Sequence, residues 1–347
     1  MSRLESSSVN IREVARRAKV SRSTVSYALS GKRPVSEATR RRIQQVIDEM
    51  GYRPNAFARA LARGETRTLG LVFPPAGSHY TDMQLNFIGG VTEAAAARDY
   101  DVLLSVADAG EEQSFQRLIG ERRVDGAILM EIRLRDARVE RMRESGFPFV
   151  TIGRTGEPDG TAWVDLDHRT LVRRCVQHLS DLGHRRLAFV NRSETLLRAG
   201  YESAHRGQDG FERAVRDLGL TGAAYPCDDD AMAGERCAER ILADDPETTG
   251  IVTVNEASLG GLYRGLANAG RRIPQDVSVT GIAGARWAEA VTPALTAADV
   301  PAHEMGRIAI ELLLERVADA GAPPRDRLLT PPVVLRASTG SAPRPAP

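Results

Sequence analysis

The chain has 347 residues, 42% of them apolar and 27% charged, which is long enough for several cores and too apolar for a disordered chain. Its formal charge is only +1, yet Met1 to Arg67 holds 15 Lys and Arg against 6 Asp and Glu, and the remainder holds 32 against 40. A basic head on an acidic body suits a phosphate-seeking module joined to a soluble domain, because cationic side chains gain affinity by releasing condensed counterions; a solvated helix surface is the alternative source of some of these charges.

The first elements are two short helices joined by a tight turn at Lys19-Val20. Ile11, Val14, Ala15 and Ala18 fall at the i, i+3, i+4, i+7 spacing of one helix face. Asn10 stands ahead as an N-cap, with Glu13 placed to complete a capping box. Ser21 repeats the cap for a second helix whose inward residues are Val20, Val25, Ala28 and Leu29. Arg22, Ser23, Ser26 and Tyr27 are left pointing outward, a set that fits a groove better than a core. The unit reads as a helix-turn-helix. After the loop Ser30 to Pro34, Ser36 caps a third helix closed by Ile43, Val46, Ile47 and Met50, and Gly51 ends it. Arg40, Arg41 and Arg42 near its start oppose the helix dipole unless a phosphate lies nearby. Ala56 to Arg63 follows Pro54-Asn55 as a helix about two turns long, marginal by itself in water.

Four blocks, Ile11 to Ala15, Val20 to Ser26, Val35 to Thr39 and Gly51 to Asn55, agree in residue type and distance with one family, and here the chain resembles the lactose-repressor (LacI/GalR) family of bacterial transcription regulators. The resemblance implies a helix-turn-helix DNA-binding domain over 1–54 and a hinge helix and linker over 55–66. That hinge would order when two copies pair over the operator, with Leu61 as the minor-groove wedge; an Ala-rich linker with Leu61 merely packed on its neighbour is the alternative. Arg22 is the candidate for a bidentate contact to guanine, with Ser23 and Tyr27 reading neighbouring edges. Ser21, Thr24, Ser26, Ser36, Thr39 and Asn55 are the candidate phosphate contacts. Tyr27 departs from the Arg or His often seen there in the family.

From Thr68 apolar runs alternate with amphipathic helical stretches: Leu69 to Phe73, Asp101 to Ser105, Gly126 to Met130, Phe149 to Ile152, Arg186 to Val190, Gly250 to Val254 and Val277 to Gly281. Helical candidates between them include 87–98, 114–122, 169–182, 210–218 and 259–269. Such alternation implies parallel sheets with right-handed crossovers. The expected fold is therefore an all-α helix-turn-helix head plus an α/β body of two parallel-sheet subdomains. The resemblance makes that body periplasmic-binding-protein-like: an effector-binding and dimerisation domain over 67–341. Its N-subdomain takes about 67–166 and 293–325, its C-subdomain about 167–292 and 326–341, and 342–347 is a disordered tail.

Enzyme signatures are missing: the sequence has no GxGxxG after a strand, no GxxxxGK[ST], no HExxH and no GxSxG. Cys175, Cys227 and Cys237 are odd in number and show no zinc spacing, so neither a metal nor a cofactor is expected. Met1 to Asn10 is polar and no stretch approaches ~18 apolar residues, so the expectation is a cytoplasmic protein, nucleoid-associated when on DNA, with no membrane partner. Family members that bind sugars carry an Asp where this chain has Gly153 and another where it has Ala283, which argues against an ordinary sugar. Arg206, Asn255, Glu256 and Trp287 are the candidate effector contacts. The reading is a regulator, expected to be a repressor, that binds palindromic double-stranded DNA operators as a homodimer and answers to a small-molecule effector of unknown identity. A solute-binding or enzymatic α/β protein with a secondary DNA-binding head is the competing reading.

Overall fold

The computed structural model describes residues 10–30, 33–52, 65–73, 82–106 and 116–343. The head contains α1 (Ile11–Arg17), α2 (Arg22–Ser30) and α3 (Glu37–Met50). The Asn10 side chain accepts from Arg12 N at 2.9 Å and Glu13 N at 3.2 Å, and the Glu13 carboxylate accepts from Asn10 N at 3.2 Å, closing the capping box. Lys19 turns the chain with a φ of 53°, and Gly51 ends α3 with a φ of 60°. Val14, Ala18, Val25 and Ile43 are buried where the three helices meet, an apolar centre small enough that the caps matter to its stability.

The body contains, in order, β1 (Thr68–Phe73), α4 (Asp82–Ala96), β2 (Asp101–Val106), β3 (Gly126–Leu129), α5 (Ala137–Ser145), β4 (Phe149–Ile152), β5 (Ala162–Leu166) and α6 (His168–Asp181). It continues with β6 (Arg186–Asn191), α7 (Glu194–Arg198), α8 (Glu202–Asp217), β7 (Thr221–Pro226), α9 (Ala231–Asp244), β8 (Gly250–Thr253) and α10 (Leu259–Asn268). Last come β9 (Ser278–Ile282), α11 (Ala285–Ala290), β10 (Thr296–Ala298), α12 (Ala302–Ala318), β11 (Asp326–Leu329) and β12 (Val333–Val334). Where the sequence suggested a helix over 114–122, the described part is a single π-helical turn, Gln116–Gly120.

Two sheets result, ordered β11-β5-β4-β3-β1-β2 and β12-β10-β9-β8-β6-β7. In the first, β1, β3, β4, β5 and β11 pair in parallel, Leu71 opposite Ile128 and Ile152 opposite Val164. In the second the pairs are parallel except β10 with β12. Strands buried on both faces need helices on both, and α6 and α8 pack together beside β6, where the Phe189 and Phe211 rings stack with centroids 5.1 Å apart.

The return crossings differ from the sequence reading. β10 pairs with β9, Thr296 opposite Thr280, so the chain leaves the second lobe beyond Ala298 and not at 293. β11 pairs with β5, Leu329 opposite Leu166, so the last crossing comes after Leu329 and not at 326. Both strands are short, and β11 is exposed over most of its length, so neither shows as an apolar run. The chain's end is also tied down further than expected: Ala342 N donates to Leu182 O at 2.8 Å, and the buried His184 ring contacts Gly340 O at 3.1 Å. Residues 344–347 of the expected tail lie outside the described residues.

Candidate functional site

In the head, α2 turns its buried Val25 inward and leaves Arg22 and Ser23 exposed in its first turn. Ser21 caps the helix, accepting from Thr24 N at 3.0 Å, and its hydroxyl lies 2.7 Å from that of Ser23 and 2.8 Å from that of Thr24. Ser26 and Tyr27 are half-buried one turn on, and the Arg33 guanidinium sits 5.2 Å from the centre of the Tyr27 ring. Ser36 and Thr39 repeat the pattern at the start of α3: the Ser36 hydroxyl donates to Thr39 Oγ1 at 2.8 Å and accepts from Thr39 N at 3.3 Å. Arg22, Ser21, Ser23 and Thr24 thus gather at one helix start, where first-turn backbone N–H groups and a guanidinium can meet phosphate oxygens and base edges. Asn55 and Leu61 lie outside the described residues.

The body carries a cavity of about 140 Å³ at the C-terminal ends of the strands of both sheets, the place where open α/β sheets hold ligands. Its apolar lining includes Met83, Phe87, Met130, Ile152, Ile282 and Met305. The polar residues fall into two groups.

The first group joins Asp165 at the end of β5, His168 at the start of α6 and Glu202 at the start of α8, with ligand-type atoms within 4.8 Å of one another. Arg206, one turn beyond Glu202, holds them. Its Nη1 donates to Glu202 Oε2 at 2.6 Å, to Asp165 Oδ2 at 3.4 Å and to Arg154 O at 3.0 Å, and its Nη2 donates to Thr155 O at 2.9 Å. Arg154 adds a contact to Asp165 Oδ2 at 3.3 Å while lying 5.1 Å from the Trp163 ring centre. Burial pushes Asp165 up to about 6 against the pull of Arg154 and Arg206. Burial, then the neighbouring Asp165, push Glu202 well above the usual carboxylate range. Burial, reinforced by Arg206, pushes His168 down to about 4, so its imidazole is neutral near pH 7. The spacing is that of a cation site, but the two guanidiniums already supply the charge that a metal ion would bring.

The second group gathers Glu131 after β3, Arg192 after β6, Asp229 after β7 and Glu256 after β8. Arg192 grips Asp229 with Nε at 3.3 Å and Nη2 at 3.0 Å. Burial alone would lower the Arg192 pKa, and the carboxylates of Glu131, Asp229 and Glu256 override it and raise the value. Glu131, held at a φ of 52°, accepts from Gln84 Nε2 at 3.0 Å. Glu256 Oε2 accepts from Gly284 N at 3.2 Å, whereas its buried Oε1 finds no partner among the described residues. Burial pushes Glu256 up to about 7.

Of the four candidate effector contacts, Asn255 and Glu256 line the cavity and Arg206 and Trp287 do not. Arg206 lies beneath the wall, bound to the carboxylates that form it. Asn255 Nδ2 donates to Cys227 O at 2.8 Å and Asp228 O at 3.3 Å, and its Oδ1 accepts from Ser258 N at 3.2 Å, bracing the loop that presents Asp229. Trp287 packs against the core of the second lobe. Sequence reasoning missed Glu131, Asp165, His168, Arg192, Glu202 and Asp229; the available signal was that Glu131 and Arg192 follow the ends of apolar strands. It also took Gly153 as a missing carboxylate. A Cβ there would stand 3.1 Å from Glu202 Oε1, so a carboxylate does fill that space, delivered from the other lobe.

Residues 10–55 match the model of bacterial regulatory proteins of the lacI family, and residues 176–339 match the periplasmic binding protein-like domain. The HTH-type transcriptional regulator AglR of Rhizobium meliloti (strain 1021) is 30% identical over 348 residues, covering 98% of this chain and 96% of that protein. The chain belongs to the lacI family of bacterial regulatory proteins. Catabolite control protein A of Priestia megaterium is 29% identical over 88% of this chain and 91% of its own length. The fold of this LacI-family regulator follows that of a lac repressor dimer bound to operator and the anti-inducer ONPF, with a TM-score of 0.83 at 21% identity over 96% of this chain and 99% of that one. Among the described residues no helix is long and apolar enough to cross a membrane.

Proposed function

We propose that this LacI-family regulator represses transcription by seating two copies of α2 in the major grooves of a two-fold symmetric operator, and that a small molecule in the cleft between the lobes controls the seating. The observation that carries this reading is the start of α2, where exposed Arg22 and Ser23 stand on a helix anchored by a fully buried Val25. Arg22 reads a guanine, with Ser23 and Tyr27 on neighbouring edges. Ser21, Thr24, Ser26, Ser36, Thr39 and Asn55 hold phosphates, and Leu61 enters the minor groove between the half-sites. Residues 1–54 form the DNA-binding domain, 55–66 the hinge, and the body binds the effector and pairs the subunits. The protein carries out no catalysis and works in the cytoplasm, on the nucleoid.

Selection of bound fragments from genomic DNA tests the reading directly; recovery of no palindromic motif would overturn it. Arg22→Ala is expected to cost roughly 1–3 kcal/mol of operator affinity and to relax discrimination at one base pair; an unchanged base preference in a binding assay would remove Arg22 from the contact. Coupling between cleft and DNA is reciprocal, so an inducer that weakens operator binding must itself bind less tightly to the operator-bound dimer by the same factor. Equal ligand affinity with and without operator would sever the cleft from control.

A further inference from the structure

We propose that the effector of this regulator is an organic cation, an ammonium on an apolar body, with the ammonium seated against Glu256 between Glu131 and Asp229. The inference rests on the reading of the cleft as the effector site and adds the charge of the ligand to it.

The two polar groups of the cavity are not balanced alike. Asp165 and Glu202 face two guanidiniums, Arg154 and Arg206, at 3.3 and 2.6 Å. Glu131, Asp229 and Glu256 share one, Arg192, among the described residues lining the cavity. The charge of Asp82 also acts on Glu256; its own partner Arg286 stands 3.8 Å away with a side chain 85% exposed, where water screens it. Among the described residues the deficit of positive charge is therefore local to the Glu256 side. Its sharpest sign is Glu256 Oε1, buried and without a hydrogen-bond donor among the described residues, because a carboxylate removed from water strongly favours a paired state.

Three ligand charges can be compared. An anion would meet three carboxylates, and Arg192 already holds Asp229 through two nitrogens. A neutral polyol could donate to Glu256 Oε1 but would leave the charge uncompensated. An ammonium supplies the charge and three N–H donors on one atom. The remainder of the ligand then meets Met83, Phe87, Met130 and Met305, adaptable apolar side chains that suit a flexible hydrocarbon body. In the other polar group the neutral His168, which also lines the cavity, offers a buried Nδ1 that has no partner among the described residues, ready for a polar group of the ligand.

The test is calorimetric titration of the full-length dimer with butylamine, hexylamine and 1,4-diaminobutane, set beside butanol, hexanol, ribose and glucose, with operator binding measured on the same samples. At least one amine is expected to bind tenfold or more tighter than its alcohol. Glu256→Gln should abolish that advantage while keeping the cooperative thermal unfolding of the parent. With Glu256 near 7, the ionised fraction falls about tenfold between pH 8 and pH 6, and amine affinity should fall with it. Equal binding of amine and alcohol, an amine affinity indifferent to Glu256→Gln, or no amine binding at all would overturn the cation. Ribose or glucose releasing operator while the amines do nothing would overturn it and leave the effector-cleft reading standing. Absence of any operator preference in the ligand-free dimer would instead remove the regulatory reading itself, whatever the amines do.

Discussion

Arg206→Met is expected to lower stability by about 3–5 kcal/mol at pH 8, the loss typical when one partner of a buried ion pair is removed. Arg206 is the centre of a knot that ties the lobes: its guanidinium bonds Glu202 on its own helix and the carbonyl oxygens of Arg154 and Thr155 from the other lobe. Around it the backbones also join, Glu202 N donating to Ile132 O at 3.0 Å and Leu134 N to Gly200 O at 2.8 Å. Methionine replaces the stem but not the five donors; it strands Glu202, at 4% exposure, and leaves Asp165, at 2% exposure, with Arg154 alone. The stranded groups can escape only by taking up protons, which gives the loss a pH dependence of known sign. In the native chain Asp165 already titrates at about 6, above its ordinary 3.8. A folded state that holds its proton more tightly than the unfolded state loses stability as pH rises from about 4 to about 6. His168, lowered to about 4 from 6.5, works in the opposite direction, losing stability as pH falls from about 6.5 to about 4. Without Arg206 the carboxylate window moves upward, so the deficit measured by urea unfolding should be larger at pH 8 than at pH 5. Glu202→Gln in the Arg206→Met background should recover most of it, since the two residues act as a unit. A loss below about 1 kcal/mol, or the same loss at both pH values, would mean that Arg206 is not what keeps these carboxylates in place.

The same knot shows where reading along the chain stops being informative. The head is legible because its determinants are local: Asn10 with Glu13, Ser21 with Thr24, Ser36 with Thr39 and Gly51 all act within four residues of themselves, and the apolar spacing follows one helical period. Of the interior strands, β1, β3, β4, β6, β8 and β9 are legible for a similar reason, since burial on both faces demands continuous apolar runs, whereas β5, interrupted by Asp165, is not among the expected runs. β7 is not: Thr221, Gly222 and Ala223 are exposed at a sheet edge, and the strand ends at a proline. The cleft is harder still, because its polar residues arrive one at a time from the ends of different strands, and only the register of two sheets brings them together. Arg206 illustrates the limit. Its place just ahead of Gly210-Phe211 makes it a candidate contact by resemblance, but that its charge is spent on Glu202, four residues earlier, and on Asp165 from the other lobe depends on the fold.

Gly261→Ala is expected to destabilise by about 3 kcal/mol or more, at the upper end of overpacking losses, whereas Gly260→Ala, one residue earlier in the same helix, should stabilise by up to about 1 kcal/mol. The opposite signs follow from how α9 and α10 meet. A Cβ on Gly261 would fall 1.6 Å from Ala231 O, and one on Gly234 would fall 2.1 Å from Ser258 O. Both obstacles are backbone, so relief requires the two helices to part. Further along, Gly265 faces Glu235 O at 2.7 Å, so the close approach runs for more than a turn. A Cβ on Gly260 meets nothing within 4 Å, leaving only the gain in helix propensity. Moving these helices apart would also disturb the cleft, because Ser258, just before α10, donates its backbone N–H to Asn255 Oδ1, and Asn255 braces the loop of Asp229. Gly261→Ala should therefore weaken effector binding beyond what its fraction unfolded accounts for, and Gly260→Ala should leave it intact. Thermal unfolding of the two variants side by side decides the matter: a shift of the same sign in both would show that the helices yield without separating, and that helix propensity, not the fit between backbones, governs this part of the second lobe.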